Sequence, residues 1–261
     1  STLTAFGHDV FMVAPKTNYS GAGASVNTKF GEHVEITNFA PNQWYVEGTP
    51  RDSVTAALDV ILADQDIDLV VSGANFGPNL GPFGVSSGTI NAAVTAAQRG
   101  IPAIAISVGI HQSEMNAEPY PFPSTFAAMD DAALLTAQVI SHLEENSFDG
   151  KLLPNGKVLN INFPAYETAN IAGVAYTNVG DFNPLEIGFI GASPADIIVV
   201  PKIAQPTGDE EPNDEGIKHL QGYATISPIS SDYSANPVTT IVIGEQLEGI
   251  AEGAGEQRLW K

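Results

Sequence analysis

The chain has 261 residues, of which 43% are hydrophobic and only 15% charged. Its 30 acidic residues outnumber 10 basic ones, for a net charge of −20, and it contains no cysteine. These figures exclude disulfides, cysteine–metal sites and a cysteine nucleophile. They also argue against binding to the nucleic-acid backbone or to an anionic membrane surface, both of which require clustered Lys and Arg.

Taken in chain order, Ser1–Gly7 reads as the last turn of a helix, with Gly7 suited to the left-handed residue past a helix end. His8–Pro15 is a short apolar strand stopped by Pro15. A helix end followed directly by a buried strand predicts that residues ahead of Ser1 complete a first strand–helix unit. Residues 16–30, rich in Gly, Ser and Asn, form a loop. Val34–Thr37 and Trp44–Val46 are short strands suited to a hairpin. Thr49 caps a helix whose first position is Pro50 and whose third is Asp52. That helix extends through Ile61–Leu62. Asp68–Ser72 is a strand, residues 73–86 a Gly/Pro/Asn loop, and Ser87-Gly88-Thr89 opens an Ala-rich helix closed by Gly100. Ile101–Val108 is a further buried strand, Ser124 caps a helix to about Glu145, and Val158–Pro164 is a strand after an Asn155-Gly156 turn.

Apolar strands without alternation, interleaved with helices, predict an α/β, Rossmann-like fold. Its sheet is mostly parallel and covered on both faces. Residues 174–240 hold shorter strands around the acidic loop 209–215 and read as a β-rich excursion suited to oligomer contacts. The expected organisation is one domain over 1–261, with a core over 1–172 and a C-terminal extension over 173–261.

Ligands in such folds bind beyond the carboxyl ends of the strands. Three loops leave such ends: Pro15–Ser25, Gly73–Ser87 and the segment after Val108. The first two carry glycines, which let backbone approach a ligand, and Ser and Asn, which offer neutral oxygens. The helix start at Ser87-Gly88-Thr89 leaves N–H groups pointing out of the helix end, a phosphate cradle that needs no lysine. An ordinary N-cap accounts equally well for the same three residues. Because the ten basic residues are scattered, any anion site here depends on a helix N-terminus or a metal ion. Gly84-Val85-Ser86-Ser87-Gly88 matches the G-x-S-x-G nucleophile elbow, but loop rather than strand precedes it. The five histidines lack metal-ligand spacing, and there is no P-loop motif.

The same segments, Ala14–Gly21, Gly48–Ser53, Val71–Gly81, Ser87-Gly88-Thr89 and Gly100–Ser107, occur in the order found in the SurE (survival protein E) family of nucleotidases. The resemblance is close over residues 8–108 and resumes weakly at 159–164 and 222–228. It implies a Rossmann-like phosphomonoesterase for nucleoside monophosphates that depends on a divalent cation, Mg²⁺ or Mn²⁺. By motif, Ser20 and Asn75 become metal ligands and catalytic residues. Ser87, Gly88 and Thr89, with Asn79, become the phosphate- and substrate-binding residues. The resemblance further implies a homodimer or homotetramer built partly through the C-terminal half, with no duplex nucleic acid and no membrane as partner. It also implies two adjacent Asp ligands from an Asn-Asp-Asp-Gly motif, expected upstream of Ser1. Asn213-Asp214-Glu215-Gly216 imitates that motif but follows no strand, and Asp130-Asp131 falls within a helix, so neither replaces it. Two rival readings are a catalytically inactive nucleotide-binding module and a serine esterase using Ser86.

Overall fold

The computed structural model describes residues 1–114, 122–147, 149–165, 171–193, 195–247 and 250. Part of the segment after Val108, one of the three candidate loops, lies outside the described residues. The chain divides into two compact units, Ser1–Ser231 and the part from Asp232 onward.

In the first unit a helical turn α1 (Thr2–Ala5) leads to β1 (Met12–Pro15), then β2 (Ile36–Ala40), β3 (Gln43–Val46) and α2 (Pro50–Ala56). A wider helical turn carries α2 on through Ile61. There follow β4 (Val70–Phe76), α3 (Gly88–Gln98), β5 (Ala103–Val108), α4 (Pro123–Glu145) and β6 (Lys157–Phe163). The rest of the unit contains β7 (Gly173–Tyr176), β8 (Leu185–Ser193), β9 (Asp196–Ile203), α5 (Glu215–Leu220) and β10 (Tyr223–Ser230). The second unit contains α6 (Pro237–Gln246), capped by Asn236 and without a buried residue.

The central sheet has five strands in the order β4-β5-β6-β10-β7. β4, β5 and β6 run parallel, β10 is antiparallel to β6, and β7 is parallel to β10. β5 is buried along its whole length and sorts its side chains by parity. Ala103 and Ala105 pack with Ile90, Ala93 and Ala97 of α3. Ile104, Ile106 and Val108 pack with Ala128, Ala132 and Ile140 of α4. The run of small residues on α3 therefore meets small residues of the sheet, while the bulkier face meets α4. The apolar run with no alternation was thus a correct sign of a strand covered on both sides.

The structure departs from the sequence expectation in three places. β1 does not join the central sheet; it pairs in parallel with β3, and β3 forms the expected hairpin with β2, giving a separate three-stranded sheet. β1 is only half-buried, with Met12 exposed, so one covered face suffices for it. β4 does not end at Ser72 but runs to Phe76, its register with β5 shifting between Ser72 and Asn75. Asn75 therefore stands on a strand end rather than in a loop. Finally, the second half of the chain is not wholly an excursion. β7 and β10 complete the central sheet, whereas β8 and β9 form a two-stranded antiparallel hairpin with Ile187, Phe189, Ile190, Ile197, Ile198 and Val199 exposed.

Candidate active site

The site is built at the carboxyl edge of β4 and β5 by two loops and two helix starts. The loop after β1 is tied down by backbone groups. Gly23 N–H donates to Ser86 O at 3.0 Å. Thr49 Oγ1 donates to Ser25 O at 2.7 Å, and Asn27 N–H to Asp52 Oδ1 at 3.1 Å. The Arg51 guanidinium reaches Ala24 O at 3.4 Å. The loop after β1 and the turn after β4 thus meet at one rim, through Gly23 and Ser86.

Both helix starts reach that rim. α2 opens with the capping box expected from Thr49 and Asp52: Thr49 Oγ1 accepts Asp52 N–H at 3.1 Å, and Asp52 Oδ2 accepts Thr49 N–H at 2.9 Å. α3 opens with Ser87 as N-cap, whose Oγ accepts Ile90 N–H at 3.1 Å. The two starts are in contact, because a methyl group on Gly88 would lie 2.9 Å from Pro50 Cγ. With Ile90 N–H bound to Ser87 Oγ and Asn91 N–H to Ser87 O, the Gly88 and Thr89 N–H groups bond to no described residue. They lie at the positive end of the helix dipole, where an anion is favoured.

Ser20 is exposed, and its N–H donates to Asn18 Oδ1 at 2.8 Å. Asn75 is half-buried; its Nδ2 donates to Gly77 O at 2.8 Å, which leaves Oδ1 as the group able to ligate. Asn79 is buried, and its Nδ2 donates to Ser107 Oγ at 2.7 Å. The backbone of Asn79 is clamped from β6. Asn162 Oδ1 accepts its N–H at 2.7 Å, while Asn162 Nδ2 and Asn160 Nδ2 each donate to its carbonyl at 3.0 Å. Ser86 closes a short 3-10 turn over Gly81–Ser86 and is exposed, without a strand directly before it.

A hard cation takes oxygen ligands, and Ser20 Oγ and Asn75 Oδ1 are of that type. They supply no negative charge, and among the described residues no group of three His, Asp or Glu forms a metal site. The donors present fit the neutral part of such a coordination shell, and carboxylates are needed to complete it.

Sequence reasoning missed the polar layer beneath the loop. Asn160, Asn162, Ser107, Ser227 and Glu215 are all buried. The available signal was Asn at alternate positions of an otherwise apolar strand, Leu159-Asn160-Ile161-Asn162-Phe163. The Asp214-Glu215 pair, set aside as a metal motif, proves to be the start of α5. Asp214 caps it through Gly216 and Ile217 N–H, and Glu215 is its first residue. His8 lies 3.9 Å from Glu144, and His219, held by burial below its usual range at about 4, is hydrogen-bonded to the Asn162 backbone.

Taken together, these features define an α/β protein whose central sheet carries, at its carboxyl edge, a helix start with two N–H groups that bond to no described residue and a half-buried Asn75 at a strand end. A family model described as survival protein SurE matches residues 1–184, and the chain belongs to the SurE family. It is 31% identical over 229 residues to 5′-nucleotidase SurE 1 of Burkholderia lata, covering 87% of this chain and 81% of that protein. It is 32% identical over 248 residues to the 5′/3′-nucleotidase SurE of Yersinia pestis, covering 93% and 87%. The crystal structure of a SurE protein from Aquifex aeolicus superposes with a TM-score of 0.72 at 25% identity, covering 94% of this chain and 91% of that one.

Proposed function

We propose that this chain is a nucleotidase, a phosphoric monoester hydrolase acting on nucleoside monophosphates with the help of a divalent cation. The observation that carries the reading is the pair of N–H groups at Gly88 and Thr89 that bond to no described residue, beside the rim where the loop carrying Ser20 meets the turn that follows Asn75. The start of α3 holds the non-bridging oxygens of the substrate phosphate. Ser87 fixes the helix start through its cap, and buried Asn79 fixes the loop that precedes it. Ser20 Oγ and Asn75 Oδ1 would hold Mg²⁺ or Mn²⁺, with the adjacent Asp pair implied by the family motif, which is not present in these 261 residues. When bound, the ion supplies the positive charge against the phosphoryl oxygens that a chain of net charge −20 lacks. The exposed apolar residues of β8 and β9 support assembly as a homodimer or homotetramer, since an isolated two-stranded hairpin cannot bury them itself.

The test is phosphate release from a mononucleotide by protein carrying an Asn-Asp-Asp-Gly segment ahead of Ser1. EDTA abolishes release, and Asn75→Ala lowers turnover far more than it lowers Tm. Asn79→Ala lowers both, because it leaves buried Ser107 without its donor. Turnover unchanged in EDTA removes the role of the metal; mononucleotide binding without any release favours a binding module; covalent labelling of Ser86 by a fluorophosphonate favours an esterase.

A further inference from the structure

Behind the rim lies a buried acid that the proposed reaction does not use. Glu215 is 0% exposed. Its Oε1 accepts Gly81 N–H at 2.8 Å, and its Oε2 accepts Ser227 Oγ–H at 2.6 Å and Asn160 Nδ2–H at 3.2 Å. Asn160 Nδ2 is shared with the carbonyl of Asn79. The turn that runs from Asn75 to the start of α3 is therefore fastened from beneath at two points, at Asn79 by β6 and at Gly81 by α5. The second fastening crosses 134 positions of sequence.

A buried carboxyl group with no cation against it is costly. Its immediate partners Gly81, Asn160 and Ser227 come from the turn, β6 and β10, and all are neutral. The charged neighbour is Asp214 of its own helix, occupied with the N–H groups of Asp181, Phe182, Gly216 and Ile217. Further along α5, Lys218 bonds Gln221 and His219 bonds the Asn162 backbone. An apolar side chain would fill the same space without that cost, but it offers no acceptor to Gly81 N–H, a buried donor on the substrate-side turn.

We propose that Glu215 is a positioning residue for the phosphate site, its carboxyl group holding the Gly81–Ser86 turn in register so that the start of α3 stays open to a phosphate group. The proposal rests on the reading of Gly88 and Thr89 as the phosphate cradle. Burial pushes the Glu215 carboxyl up to about 7, against the pull of its hydrogen bonds from Ser227, Gly81 and Asn160, with Asp214 adding to the rise. Below that pH the group is neutral and keeps its proton, which it donates in a hydrogen bond to Ser227 Oγ, and Ser227 then turns its own hydrogen toward Thr177 Oγ1 at 2.8 Å. Oε1 keeps Gly81 in both states. Above that pH the added buried charge opposes a bound anion through the low-dielectric interior.

The experiment is calorimetric titration of this chain with inorganic phosphate, and with sulfate where pH is varied because its charge is constant over the range. Glu215→Ala is expected to weaken phosphate binding about ten-fold, the loss of roughly one well-placed hydrogen bond in a site, and to speed amide exchange at Gly81. Glu215→Gln, which keeps an acceptor for Gly81, restores both. Relative to Glu215→Gln, wild-type affinity for sulfate falls about two- to three-fold as pH rises from 6 to 8, a pH dependence that a purely structural role does not produce. It remains readable if Glu215→Ala fails to fold. Thr89→Pro, which deletes one cradle N–H, separates the two readings. If it abolishes binding while Glu215→Ala binds as wild type, or while wild type and Glu215→Gln share one sulfate pH profile, Glu215 is no positioning residue and the cradle stands. If Thr89→Pro binds as wild type, the cradle reading falls and this proposal with it.

Discussion

The two loops that form the site are held in opposite ways. The loop after β1 lies on the surface: of residues 16–30 Gly23 alone is buried, and several of its bonds are local, such as Ser20 N–H to Asn18 and Lys29 N–H to Asn27. The loop after β4 is sunk into the molecule. Asn79, Leu80 and Gly81 are buried, and their polar groups bond side chains of β5, β6 and α5. A surface loop can trade a lost bond for water, whereas a buried one leaves an orphan donor or acceptor. On the proposed reading, the phosphate side is thus preorganised, while Ser20, on the cation side, stays in solvent.

Substitutions sharpen this contrast, and the largest effect is expected from a pair of glycines. Gly81 and Gly21 both have positive φ, but a methyl group on Gly81 would lie 2.6 Å from Phe182 O, while nothing lies within 4 Å of one on Gly21. Gly81→Ala should cost about 3 kcal/mol or more, strain and overpacking combined, against about 1 kcal/mol for Gly21→Ala from its backbone alone. Urea denaturation measures both, and equal costs would break the distinction between the loops. Next comes Asn162→Ala, which removes both the acceptor and a donor serving Asn79. It should cost about 2–3 kcal/mol and lower phosphate affinity together with stability. The smallest effect is that of Thr49→Ala, which loses the α2 cap and the bond to Ser25 O. About 1 kcal/mol is expected, with increased proteolytic nicking confined to residues 16–30.

Much of the architecture was legible in the chain because its cues are local. The Thr49-Pro50-Arg51-Asp52 capping box, the Ser87 cap, the β2–β3 hairpin and the apolar run of β5 each follow from neighbours in sequence. The loop carrying Ser20 was placed by the same reasoning, whereas Asn75, read as loop, stands on the end of β4. What escaped was whatever depends on distant partners. The pairing of β1 with β3 turned on how much cover each face receives. The antiparallel entry of β10 beside β6 joined residues such as Ser227 and Asn160, 67 positions apart, as cross-strand partners. Glu215 sat in an acidic stretch indistinguishable by composition from a solvated loop, and only the closing of the chain placed it beneath Gly81.

The sequence by itself determined the class of fold and the residue types offered at the carboxyl edge of the sheet. Helix caps, strand hydrophobicity and glycine-rich turns are written within a few residues of one another, and the scarcity of Lys and Arg confined anion binding to a helix start or a metal ion. Tertiary structure alone decided which polar groups are buried and what they hold. Desolvation is a property of the packed molecule: the same carboxylate that costs nothing in a loop becomes, once enclosed by Gly81, Asn160 and Ser227, an acid poised near neutrality that fastens the turn before α3.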